Sequence, residues 1–281
     1  MRLGFVLALL LPFIASAADC DRECLRGTVT QYLDAMVAHK PASLAVGDKL
    51  KFTEDTVAMK LGDGLWKNAS GIGTYRQDIL DVRQGVAASQ VIVEESGMPV
   101  MLMLRLKVAD KKITEVETQV TRTRAEGAIF NIGNIKTVSK NMNLTPEPGQ
   151  LNSRADAIKI AELYPAGLKI GNFMEVNTPF AADAYRIENG SITAGAGCAR
   201  AGCENMKAQT IMKHPAITTR VAAVDEEMGI VLLRMNFGDT GSYGPGNALI
   251  VWEAFKVYGG QIHAVEAFMR VMPASAGSGW D

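Results

Sequence analysis

Leu249–Met272, LIVWEAFKVYGGQIHAVEAFMRVM, reads as two long strands joined by a tight turn at Gly259-Gly260. Paired glycines supply the positive φ that a two-residue hairpin turn requires. The same design stands earlier in the chain at Met101–Arg124, MLMLRLKVADKKITEVETQVTRTR. Both stretches fit K-V-x4-I-x2-V-E, with Lys107 and Lys256 separated by 149 residues. A register-true match of this length implies two copies of one domain.

Each copy opens on a helix. Leu25, Val29, Tyr32, Leu33 and Met36 recur at helical spacing between Asp21 and Ala38, and His39-Lys40-Pro41 ends the run. In the second copy Ser153 is the N-cap, with Asp156 three residues on. Ala157, Ile160, Ala161 and Leu163-Tyr164 make its apolar side, and Pro165 is expected to kink or end it. Strand patterns follow in both copies. In the first they are Leu50–Thr53, Thr56–Leu61, Gln90–Glu95, Val100–Val108 and Ile113–Arg124, with Gly62–Gly73 turn-rich and Tyr75–Val82 open between helix and strand. In the second, 179–190 matches the KFTED run, setting Ile187-Glu188-Asn189 against Phe52–Asp55, and strands are expected at Thr219–Asp225 and Ile230–Phe237. Val93-Glu94-Glu95-x-Gly97 resembles Val224–Gly229. Strands such as MLMLRLKV are apolar on both faces and need cover on both sides. The expected fold class is therefore α+β: two tandem domains, each an antiparallel curved sheet with helices on one face, packed sheet against sheet as an intramolecular pseudo-dimer.

Residues 1–17 read as a secretory signal: Arg2, an apolar run Leu3–Ile14, and Ala15-Ser16-Ala17 as the cleavage site. The domain plan is then 18–139 for the first domain, a polar linker at 140–152, 153–273 for the second, and a flexible tail at 274–281. The expected location is secreted or periplasmic, with no membrane contact after cleavage. Net charge is −1 with no basic block, which argues against nucleic acid as a partner. The 14 methionines are read as core filling or as lining for a greasy ligand.

Cys20/Cys24 and Cys198/Cys203 form two close pairs, and an even count in an exported chain argues for two disulfides. Local pairing is simplest, although four cysteines permit three connectivities. Zinc is disfavoured because His39, His214 and His263 are the only histidines and none is near a cysteine pair. No metal or cofactor is expected. Asn68, Asn143 and Asn189 open glycosylation sequons.

The opening helix, the D-x4-E-N segment Asp183–Asn189 and the closing hairpin FKVYGGQIHAVEAF resemble the nuclear transport factor 2-like superfamily, which includes ketosteroid isomerases and SnoaL-type cyclases. The resemblance covers both halves. It implies cone-shaped domains, each a curved sheet closed by helices around an apolar pocket. It also implies a cavity-facing carboxyl before the final turn, here Glu253, and a general base at Glu188 or Asn189. Superfamily chemistry includes isomerases, lyases, dehydratases and non-catalytic binders, and some members cleave lignin-derived diaryl compounds with loss of formaldehyde.

Strand parity bears on Glu253 independently. Glu253, Phe255 and Val257 share one face of their strand; His263, Val265, Ala267 and Met269 share one face of the next. The 149-residue offset places Leu104 and Thr114 where the second copy has Glu253 and His263. The expected catalytic residues are thus Glu253 and His263, supported by Glu188 and Tyr185. Phe255, Val265, Met269 and Arg186 are expected to contact substrate. A glutamate in an apolar pocket is a general acid or oxyanion donor, and an imidazole moves protons near neutrality. Glu117 and Glu266, common to both copies, are expected at the interface; His214 is read as a loop residue, and Trp66 and Trp252 as core. Two functions stay open. One is a cofactor-independent lyase, dehydratase or isomerase for a hydrophobic, aromatic small molecule; the other is a secreted binder of an apolar ligand. The chain is expected as a monomeric pseudo-dimer or a homodimer.

Overall fold

The computed structural model describes residues 20–277 and Trp280; the expected signal segment at 1–17 lies outside the described residues. Helix α1 (Arg22–Val37) is capped by Asp21, whose carboxylate accepts the Cys24 N–H, and it buries Leu25, Val29, Tyr32, Leu33 and Met36. Strands β1 (Val46–Glu54), β2 (Val57–Ala58), β3 (Ala69–Asp81), β4 (Val86–Glu95), β5 (Met98–Ala109) and β6 (Lys112–Thr121) form one sheet in the order β2-β1-β6-β5-β4-β3. Short helices α2 (Arg124–Gly127) and α3 (Lys140–Asn143) precede α4 (Arg154–Ile170). Strands β7 (Phe180–Glu188), β8 (Ser191–Ala194), β9 (Thr218–Asp225), β10 (Ile230–Asn236), β11 (Asn247–Tyr258) and β12 (Gln261–Pro273) form a second sheet in the order β8-β7-β12-β11-β10-β9. Strand for strand, the two orders are the same.

Both sheets are mixed, not antiparallel as expected. β1 runs parallel to β6, and β7 runs parallel to β12. Alternation in sequence specifies which face a side chain takes but not which way the neighbouring strand runs. The opening strand of each copy is laid beside the last strand of the meander, an edge that residue patterning does not reveal. β3 is a 13-residue strand that the glycine-rich stretch concealed. Gly71 and Gly73 sit inside it where β4 passes close, and a Cβ at Gly71 would meet the Glu94 carboxylate at 2.7 Å. Pro165 neither ends nor replaces a turn of α4, which runs through it to the left-handed cap at Gly171. The sheet order also corrects one repeat. The turn Asp225–Gly229 joins β9 to β10, so its counterpart is Asp81–Gly85 between β3 and β4, not Val93–Gly97.

The hairpin quoted first has the expected geometry. Gly259 and Gly260 take φ of +57° and +76°, and β11 pairs with β12 along its length. One register shift falls between Lys256 and Val257, where Lys256 faces Ala264 and Val257 faces Ile262. His263 is the extra residue of that bulge. The first sheet has the same shift between Lys107 and Val108, leaving Thr114 as the extra residue. A bulge reverses the alternation beyond it.

Three apolar layers result. α1 covers the first sheet with Tyr32, Leu33, Trp66, Leu102 and Leu104 among the buried residues. α4 covers the second with Tyr164, Phe173, Phe255 and Val265. The third layer draws on both sheets, including Ile79, Met101 and Met103 from one and Leu232, Trp252 and Phe268 from the other. Paired contacts flank it. Arg22 of α1 binds Asp225 at 2.7 Å, and Asp225 also accepts the Leu80 N–H at 3.0 Å. Reciprocally, Arg154 of α4 binds Asp81 at 2.6 Å, and Asp81 accepts the Val224 N–H at 2.9 Å. Cys20–Cys24 and Cys198–Cys203 are both local disulfides. The tail is docked at Trp280, whose indole donates to Thr53 at 3.0 Å with Lys51 Nζ 4.2 Å from its ring centre.

Candidate functional site

The second sheet and α4 enclose a cavity of about 180 Å³. Its floor is a row across three strands: Glu188 on β7 lies opposite Ala267 on β12, which lies opposite Glu253 on β11. Directly paired residues project from the same face, and Glu188 and Glu253 both line the cavity. Two residues back, Arg186 lies opposite Val265 and Val265 opposite Phe255. Tyr164 and Leu168 descend from α4, while His214, Phe237 and Tyr243 come from loops.

Glu253 is buried, and its carboxyl is pushed up to about 8 by the loss of solvent and the charge of Glu188. Arg186 and a hydrogen bond from Tyr164 only partly offset this. A neutral carboxylic acid is thus present at pH 7. Arg186 is itself buried and donates to the Tyr164 hydroxyl at 2.9 Å, to Thr193 Oγ1 at 2.8 Å and to Gln209 at 3.3 Å. Its Nε is 3.4 Å from Glu188. His214 is buried, and desolvation holds it below the usual imidazole range, so it is neutral near pH 7. Its ring meets Phe237 edge-on at 4.7 Å, and its Nδ1 has no hydrogen-bond partner among the described residues. The site therefore combines a protonated Glu253, a second glutamate, a guanidinium and a neutral imidazole around an apolar space.

Not every expected residue is here. Glu253, Glu188, Arg186 and Met269 line the cavity. His263 does not: the bulge turns it away, its ring stacks on Tyr258 at 3.6 Å, and its Nε2 lies 3.2 Å from the Tyr258 carbonyl. Tyr185 points to the opposite face of β7, where its hydroxyl donates to Glu266 at 3.2 Å. Phe255 and Val265 are fully buried beneath the cavity, and Phe255 packs on Tyr164 at 5.1 Å. Asn189 is structural: its amide oxygen accepts the Met269 N–H at 2.9 Å while its nitrogen donates to Ile129 and Met269 carbonyls, both at 2.9 Å. Asp55 plays the same part in the first sheet, accepting the Val120 N–H at 2.9 Å. Glu188, the remaining candidate base, is left facing the cavity.

The sequence reads His214 as a loop residue and Tyr164 as part of a helix's apolar side, and it carries no signal for Tyr243. His214 and Tyr243 belong to loops without periodicity. Tyr164 had one usable signal: counted from the two helix N-caps it occupies the place of Tyr32. In the first domain that hydroxyl accepts from Trp66 at 2.8 Å, and Phe52 and Leu104 stand in place of Arg186 and Glu253. Tryptophan and leucine fill the space that the second domain leaves open. Among the described residues no group of three His, Cys, Asp or Glu side chains is arranged to hold a metal ion, and no helix is long and apolar enough to cross a membrane.

A family model described as a domain of unknown function, DUF8021, matches residues 150–269, which span α4 and the second sheet. No curated protein matches the chain. Similar solved structures include a de novo designed protein with a curved β-sheet, at 15% identity and a TM-score of 0.30, covering 36% of this chain and 88% of that one. A second, from Kribbella flavida, is described as a "putative ketosteroid isomerase" (11% identity, TM-score 0.29, 37% of this chain and 82% of that chain). A third is an NTF2-like protein of unknown function from Cytophaga hutchinsonii (6% identity, TM-score 0.25, 34% and 89%).

Proposed function

We propose that the chain is an exported tandem nuclear transport factor 2-like protein, an intramolecular pseudo-dimer whose second domain performs acid/base chemistry on a small aromatic molecule without a cofactor. The observation that carries this reading is the pairing of a buried Glu253 with a partly exposed Glu188. They flank Ala267 on one row, and Glu253 is raised to about 8 while Arg186 holds Glu188. A buried carboxyl raised in this way supplies an acid, and the glutamate facing it across the cavity is the candidate base. Glu188 takes a proton from carbon next to a carbonyl; the C–H electrons become the enol double bond, and Glu253 gives its proton to the carbonyl oxygen. Return of a proton at another carbon is isomerisation, and departure of a group from the enol is elimination. The size of the space supports a single ring, since a cavity of about 150 Å³ accommodates benzene. A diaryl substrate would leave its second ring at the mouth, beside Arg200 and Met212. The reciprocal pairs Arg22–Asp225 and Arg154–Asp81 support the pseudo-dimer. The two disulfides suit an oxidising, extracytoplasmic compartment.

The test is solvent deuterium incorporation into the methyl group of acetophenone, followed by NMR. Exchange by the intact protein, lost by about 100-fold or more in folded Glu188→Gln and Glu253→Gln, is the expected result. Wild-type exchange in both variants would sink the assignment. Thermal stabilisation by the ketone with no exchange would instead make the domain a binder.

A further inference from the structure

Glu117 and Glu266 occupy the same place in the two sheets, yet their surroundings differ. Glu117 is enclosed by Arg220 at 2.6 Å, Arg234 at 3.6 Å and Arg105 at 3.9 Å, and only about 10 Å³ is free beside it. Glu266 is equally buried, but among the described residues no arginine or lysine pairs with it. Its oxygens take hydroxyls from Tyr185 at 3.2 Å and Tyr75 at 3.4 Å. Gln90 stands where the other side has Arg234: Gln90 lies opposite Met103, and Arg234 opposite Trp252, at equivalent points of the two hairpins. A cleft of about 290 Å³ opens beside Glu266, between the two sheets and the segment 134–139.

Gln90 is fully buried and lines this cleft. Both hydrogens of its amide are engaged, with Nε2 donating to the carbonyls of Trp252 and Glu266 at 3.2 Å each. That fixes the amide orientation and leaves Oε1 as the free end, which has no partner among the described residues. A buried unmet acceptor costs about 1–3 kcal/mol. Ser139 also hydrogen-bonds to the Glu266 carboxyl, and three hydroxyls still leave about one of the roughly four acceptor positions of a carboxylate open. The cleft thus offers acceptors from Gln90 and Glu266. Aromatic faces come from Tyr75 and Phe268, whose centres are 6.1 Å apart, and Ile135 and Ile187 add apolar walls.

We infer that this cleft is a second ligand site, built for a compact organic ammonium whose N–H groups bind Glu266 and Gln90 and whose apolar body lies against Tyr75 and Phe268. The ligand cation takes the place that arginine fills on the other side. Aromatic faces attract ammonium groups, and the space suits one ring on a short chain. Exposed Thr137 at the rim puts the cleft in contact with solvent. The site is separate from the Glu253 cavity, which lies on the opposite face of the second sheet.

Calorimetric titration with 2-phenylethylamine, against its uncharged analogue 2-phenylethanol, tests the assignment. The amine is expected to bind at least about tenfold more tightly than the alcohol, and Glu266→Gln and Gln90→Leu should each weaken it by about tenfold. Thr137→Trp, an exposed rim substitution that leaves the core untouched, should block binding even if the buried variants fail to fold. Ile135 and Ile187 methyl resonances should shift on addition of the amine, and Glu253→Gln should bind it as the parent does. Failure of the parent to bind 2-phenylethylamine at millimolar concentration overturns the inference. Equal affinity for the alcohol, indifference to Thr137→Trp, or loss of binding in Glu253→Gln overturns it too.

Discussion

Glu253 and Leu104 hold the same position in the two sheets. Glu253 lies between Leu233 and Ala267, and Leu104 lies between Ser89 and Thr118. The leucine is fully buried in a packed core, and the glutamate is almost as buried at the edge of a cavity. Burying an ionisable group costs free energy that a leucine does not cost, so the second domain carries an expense that its own fold, as the first domain shows, does not need. Chemistry is the physical reason we give for it.

That expense has a pH signature. The folded-state value of Glu253, about 8, lies above the ordinary carboxyl value. Between pH 4.5 and 8 the unfolded chain has released this proton while the folded chain keeps it. The stability that this group contributes is therefore largest at the acid end and falls as pH rises through this window, with a slope on the order of 1 kcal/mol per pH unit. Glu253→Gln should flatten the slope. Urea unfolding of both proteins at pH 5, 6, 7 and 8 reads it, and parallel curves would show that Glu253 is ionised in the fold.

His263 provides a contrasting prediction. It stacks on Tyr258 beside the turn and is only partly buried. His263→Ala should leave the acetophenone exchange rate within about twofold of the parent and cost at most about 1 kcal/mol of stability. His214→Ala removes an imidazole from the cavity wall and should lower the rate by about tenfold or more. A reversed order of the two effects would return the site to the hairpin end.

How far the sequence could be read is clearest at these two histidines. The repeat, the helix limits at Asp21 and Ser153, the hairpin and the buried carboxyl of Glu253 all follow from local patterns that the structure repeats. His263 was misplaced because one extra residue shifts strand parity, and the bulge has no residue-type signal: Thr114 and His263 mark it in the two copies. His214 lies in a loop as the sequence reads it, but its place in the cavity wall is set by tertiary contact, here the His214 N–H on the Leu168 carbonyl at 2.9 Å. Tyr185 was assigned to the Glu188 side although it is an odd number of residues away, and alternation sends it to the other face. The parallel pairing of β7 with β12 is equally silent in sequence, yet it brings Arg186 and Glu188 beside Glu253.

The paired clamps across the sheets yield a symmetric expectation. Asp225 and Asp81 are each buried, each accepts one backbone N–H from the other sheet, and each binds one helix arginine. Asp225→Ala leaves Arg22 with Glu227 at 3.6 Å and strands the Leu80 N–H; Asp81→Ala leaves Arg154 with Glu226 at 3.4 Å and strands the Val224 N–H. Each should cost about 3–5 kcal/mol. The two losses should agree to within about 1 kcal/mol, measured by guanidinium unfolding. A large loss at one site with none at the other would show that only one clamp is formed in solution.

Asn189 separates structural from chemical roles within one dipeptide. It takes a left-handed φ of 44°, and its amide bonds the Met269 N–H and carbonyls on both neighbouring segments. Asn189→Ala leaves those buried groups unmet and places an alanine in an unfavourable backbone region, for a cost of about 3 kcal/mol or more. Its neighbour Glu188 pairs, among the described residues, with Arg186 and faces the cavity. Glu188→Gln should change stability by at most about 1 kcal/mol while removing the exchange activity. Thermal unfolding and deuterium exchange on the two variants, measured side by side, should therefore give opposite patterns. An Asn189→Ala protein as stable as the parent would remove Asn189 from the fold, and an active Glu188→Gln protein would remove the base from the mechanism.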